Sequence, residues 1–101
     1  GGGGQNPPPP PAAFVDQLGF TASSAVGGIS VSASVHTTGS MNVTVQCTSA
    51  GTTINLAGPN PLDGGGSYSG SFTGLAPGTY QISCAVPGQL SSNTKNSTVY
   101  E

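Results

Sequence analysis

From Ile29 to His36 the side chains alternate without a slip: Ile29, Val31, Ala33 and Val35 are apolar, and Ser30, Ser32, Ser34 and His36 are polar. A helix would scatter such a pattern around its circumference, whereas a strand sends successive side chains to opposite faces. The stretch predicts a strand with one buried and one wet face. The same period returns in Met41, Val43, Val45 and Cys47, in Tyr68, Gly70 and Phe72, and in Tyr80, Ile82, Cys84 and Val86. No helical period accompanies it. The chain is therefore read as all-β and antiparallel, with a core on one face of each strand.

Between these runs stand turn formers. Residues 13–22 read as a first strand with Phe14, Leu18 and Phe20 on one parity, and Asp16 on that same parity reads as an inward charge guarding a sheet edge. Residues 23–28 read as a turn or loop, and Thr37-Thr38-Gly39-Ser40 as the turn of a hairpin. Ala50-Gly51 leads into a short strand carrying Ile54 and Leu56. Gly58-Pro59-Asn60-Pro61-Leu62-Asp63-Gly64-Gly65-Gly66 reads as a loop, Pro87-Gly88 ends a strand, and residues 92–101 read as the closing one. That makes about seven short strands with turns at regular spacing, the pattern of a sandwich.

The stretch Leu75-Ala76-Pro77-Gly78-Thr79-Tyr80 resembles the corner between strands E and F of immunoglobulin-like and fibronectin type III domains. The resemblance implies a seven-stranded antiparallel immunoglobulin-like β-sandwich. It also implies that the Tyr80 hydroxyl bonds to backbone near Leu75, Pro77 and Gly78 while its ring meets Leu75. It extends over roughly residues 29–100, and the chain departs from true immunoglobulins in having no Trp. Counted from this corner, Cys84 falls on strand F and Cys47 on strand C, neighbours in one sheet. The sandwich is assigned to residues 14–101. Residues 1–13 form a Gly/Pro-rich N-terminal extension or linker, in which Pro7 to Pro11 favour an extended polyproline rod.

Cys47 and Cys84 both sit on the apolar parity of their strands, where paired half-cystines would lie; two buried free thiols are the alternative. A bond between them would contribute about 4 kcal/mol in the chain-entropy picture and points to an oxidising compartment. Only Lys95, Asp16, Asp63 and Glu101 are charged. One lysine cannot neutralise a phosphate track, so nucleic acid is excluded as a partner. A surface of Ser, Thr, Asn, Gln and Gly suits an extracellular, cell-surface setting, and also burial in an assembly or under glycans. No stretch is long and apolar enough for membrane insertion. The opening on Gly1 suits a mature form freed of a secretion signal, or an internal boundary.

No catalytic, cofactor or metal site is expected. His36 is alone and on the wet parity, no Ser is marked as a nucleophile, and the three carboxylates show no convergent spacing. Asn42-Val43-Thr44 and Asn96-Ser97-Thr98 fit the N-glycan acceptor pattern, which makes Asn42 and Asn96 candidate modification sites. An isopeptide bond from Lys95 would need Asp16 or an Asn beside it in the core. The expected function is non-enzymatic: a subunit of an extracellular filament or coat built head to tail from identical copies. Phe14, Leu18 and Phe20 are its assembly candidates, either by strand addition to a neighbour's sheet or, in the alternative, as the domain's own first strand. A tethered adhesive or carbohydrate-binding module is the other reading. The aromatics fall mostly on core parity, which favours the first.

Overall fold

The structure, a computed structural model, describes residues 12–92 and 94–100. The Gly/Pro-rich extension up to Pro11 lies outside the described residues. Eight strands follow one another: β1 (Phe14–Ala25), β2 (Gly28–Met41), β3 (Val45–Ser49), β4 (Thr52–Leu56), β5 (Leu62–Thr73), β6 (Gly78–Val86), β7 (Leu90–Ser91) and β8 (Lys95–Val99). There is no helix among the described residues. One sheet has the order β1-β2-β5, and the other β4-β3-β6 with β7 and β8 both on the far side of β6.

The two antiparallel sheets enclose a single β-sandwich-like core. Ile29, Val31, Ala33 and Val35 of β2 and Tyr68 and Phe72 of β5 belong to the same buried cluster as Val45 and Cys47 of β3, Ile82, Cys84 and Val86 of β6 and Val99 of β8. The alternation in β2 is thus realised as read. β7 and β8 are one edge interrupted near Ser92, whose hydroxyl accepts from Cys84 N at 3.0 Å and donates to Cys84 O at 2.9 Å. Ser92 N still donates to Cys84 O at 2.8 Å, but the hydroxyl takes the Cys84 N–H that a regular ladder would give to a backbone carbonyl, and the closing strand is split in two there.

Four local readings are corrected. Asp16 does not point inward. The β1–β2 register slips between Val15 and Gln17, so Asp16 is the extra residue of a bulge. The slip reverses the parity before it: Val15 is buried and Phe14 is 45 % exposed, while Leu18 and Phe20 keep their inward sides.

Residues 23–28 are mostly strand, with only Val26-Gly27 as the turn. Ser23 and Ser24 pair with Ser30 and Ile29, and their polar side chains stay on exposed positions.

Residues 37–40 form no hairpin; β2 runs on to Met41 through a second irregularity between His36 and Ser40. Thr37 turns inward there and is 2 % exposed, its hydroxyl donating to Gly39 O at 2.7 Å and accepting from Gly64 N at 3.1 Å. A hydroxyl that answers local backbone groups lets the strand bend without ending. Residues 42–44 then carry the chain to the other sheet.

Leu62 to Gly66 are not loop but the start of β5, with Leu62 buried and Gly66 opposite Val35. The glycines serve a strand here: a Cβ on Gly66 would come within 2.6 Å of Leu62 Cδ1, and Gly64 has a φ of 89°. The loop before β5 is pinned at two points, where Tyr68 Oη donates to Pro59 O at 2.6 Å and Val43 N donates to Asn60 Oδ1 at 2.6 Å. Burial pushes the Tyr68 phenol above its ordinary pKa, which keeps it a donor.

Candidate functional site

Three places gather residues with something to offer a partner. The first is the outer face of β1-β2-β5. Register places Thr21, Ser32 and Ser69 in one row across the sheet, Ser23, Ser30 and Ser71 in the next, and Gly19, Ser34 and Ser67 in another. These small side chains leave two shallow depressions of about 310 and 380 Å3, the second bounded by Gln17, His36 and Gly65. A hydroxyl both donates and accepts, so the face can meet any neutral polar partner.

At one end of this face lies the Asp16 bulge. Asp16 Oδ1 is 2.6 Å from His36 Nδ1, and Oδ2 accepts from Thr38 Oγ1 at 2.7 Å. A carboxylate can only accept, so His36 carries its proton on Nδ1. The Thr38 hydroxyl foremost, and His36 after it, hold the Asp16 carboxyl below its ordinary pKa. His36 is thus more than a solvated side chain: it clamps the bulge. No serine is hydrogen-bonded to its other nitrogen, and no metal-ligand cluster occurs among the described residues. Lys95 is not brought to Asp16; its Nζ lies 5.4 Å from the Phe20 ring centroid.

The second place is the corner before β6 and the bond behind it. Tyr80 Oη donates to Ala76 O at 2.7 Å, Gly78 has a φ of 152°, and Leu75 is half-buried against the core. Leu75 N also donates to Gly27 O at 3.1 Å, tying the corner to the β1–β2 turn. Cys47 and Cys84 are direct register partners on β3 and β6 and are joined, with Cα atoms 4.0 Å apart. The bond lies within one sheet. Since the Cys84 backbone groups face Ser92 on the other side, the cysteines form a non-hydrogen-bonded pair, where opposed side chains stand closest. Of the sequon residues, Asn42 is exposed on the link to β3, and Asn96 is exposed on β8 opposite Gln81.

The third place comprises the two ends of β1. At its far end Tyr100 N donates to Ala25 O at 3.2 Å and Gly27 N to Tyr100 O at 3.4 Å, a parallel bridge that sets Val26 beside Tyr100. Both are largely exposed, Val26 at 74 % and Tyr100 at 56 %. At the near end stands Phe14. Leu18 is half-buried and Phe20 buried, and the whole of β1 pairs with β2 of the same chain. Sequence reasoning missed the Val26–Tyr100 pair, because a parallel bridge between chain positions so far apart leaves no local pattern. The nearest signal was an apolar Val just before Gly27-Gly28. Comparison of the chain with family models, with curated proteins and with solved structures gave no match.

Proposed function

We propose that this chain is a non-enzymatic structural domain of the cell exterior, an identical repeating unit of a filament or coat whose contacts run head to tail. One observation carries the reading. β1 spans the molecule from Phe14 to Ala25, and Tyr100 is bridged beside its far end, so the chain enters at one pole and leaves at the other. Copies arranged along such an axis meet by unlike surfaces, and unlike surfaces propagate. The poverty of charge fits, since an unscreened neutral surface offers little repulsion between copies. The disulfide fits an oxidising exterior.

In this reading the sandwich is of the immunoglobulin-like or fibronectin type III-like kind, with β1-β2-β5 facing β4-β3-β6-β8 and Tyr80 at its corner. Because β1 already completes its own sheet, contacts between copies fall to the poles and to residues 1–13 rather than to insertion of Phe14, Leu18 and Phe20 in a neighbour.

Sedimentation velocity of the full chain over a wide concentration range tests this. Open-ended association is expected, and a monomer at every concentration would overturn it. The hydroxyl face favours the second reading, a tethered module for neutral glycans. Retention on an insoluble polysaccharide by a chain that never self-associates would select that reading instead.

A further inference from the structure

We infer that the Val26–Tyr100 pair is the receiving surface for the proline run, Pro7 to Pro11, of a second copy of this chain. The inference rests on the head-to-tail reading and names its contact.

The surface is small but unlike the rest of the molecule. Among the described residues three large hydrophobic side chains are exposed, and two of them stand side by side here on a parallel bridge. Such bridge partners project to the same side of the backbone, so ring and isopropyl group form one apolar step. The backbone beneath is fixed by the two bridge hydrogen bonds and by Leu75 N on Gly27 O. Asp16, Asp63 and Lys95 do not belong to the strand ends that meet at this pole, and the fourth charged residue, Glu101, follows Tyr100 in the sequence.

What covers an exposed aromatic step is set by chemistry and by reach. A proline run carries flat apolar rings and no backbone donors, and its conformation is fixed before it binds, so docking on an aromatic surface costs little ordering entropy. Tyr100 adds a hydroxyl that can donate to a proline carbonyl. Reach then decides whose prolines these are. Pro11 is followed at once by Ala12 and Ala13, and Ala13 stands against Gly39 at the near pole. Five residues of polyproline helix would span at most about 16 Å from there, at about 3.1 Å per residue. The β1 strand between the poles measures about 36 Å, at about 3.3 Å per residue. A copy's own prolines therefore fall well short of its own Tyr100, while the prolines of the copy stacked on that pole arrive at it directly.

A photo-cross-linking residue, p-benzoylphenylalanine, placed at position 100 of the full chain tests this in a mixture of 14N and 15N protein. The expected product joins position 100 of one isotope to residues 5–14 of the other. Cross-links confined to one isotope, or joining position 100 to position 100, would overturn the inference. As a second arm, Val26→Ser with Tyr100→Ser, and separately deletion of residues 1–11, are each expected to weaken self-association at least tenfold. The fold is checked in each by a cooperative unfolding transition in denaturant. Undiminished association of these variants would overturn the contact and leave the head-to-tail reading standing. A full chain that never associates would overturn both.

Discussion

Ala50 takes a φ of 52° and Gly51 one of 76°, the pair of left-handed residues that a two-residue turn between twisted strands requires. Glycine adopts this freely, whereas alanine does not. Asn tolerates the region better, so Ala50→Asn is expected to raise unfolding stability by about 0.5–1 kcal/mol, read from the denaturation midpoint at constant m-value. Asp16 shows a different limit of single-residue reading. Its parity was plain in the letters, but a one-residue bulge reverses parity without altering composition. Only the answering partners, His36 and Thr38, could have revealed it, and they lie on another strand. The folded carboxyl is held below its unfolded pKa, so its stabilising effect is present above about pH 4 and lost as pH falls through the lower folded value. Asp16→Asn should therefore flatten the pH dependence of stability below about pH 4; an unchanged acid limb would contradict the clamp.

At the scale of elements, the strands legible beforehand were those whose two faces differ in solvent. β2 and β6 announced themselves through Ile29 to Val35 and Tyr80 to Val86, because burial on one face and water on the other forces the alternation. What was not legible was how strands end. Thr37 and Gly39 have turn chemistry, yet the hydroxyl of Thr37 is used on a bulge; Gly64 to Gly66 have loop chemistry, yet all three lie in β5, and at Gly66 Leu62 and Pro59 crowd the space where a side chain would stand. The corner and the disulfide were legible because each rests on side chains that must meet, Tyr80 with the turn above it and Cys47 with Cys84. Tyr80→Phe removes one hydrogen bond to Ala76 O and is expected to cost about 1 kcal/mol, with an unchanged midpoint ruling the bond out as a stabiliser. Replacing both cysteines by Ser frees a loop whose ends are 37 residues apart and should cost about 4 kcal/mol, read as a lowered midpoint with the fold retained in the cold.

For the whole molecule, the two outer faces carry little charge and the two poles carry the exposed apolar side chains, Phe14 at one and Val26 with Tyr100 at the other. In the proposed assembly this division would favour end-to-end over face-to-face contact, since apolar area removed from water stabilises while hydroxyl faces lose little by staying wet. The sequence made the neutral surface evident. It hid the poles, because they arise only when residue 26 and residue 100 are bridged. The head-to-tail account is tested most directly by imaging assemblies of the full chain and measuring the axial repeat and the strand direction. It predicts β1 roughly along the filament axis, with a repeat of about 40–60 Å set by the strand length plus the proline rod. Strands lying across the axis, with copies spaced by the width of a sandwich, would contradict it and show that the sheet edges, not the poles, join the copies.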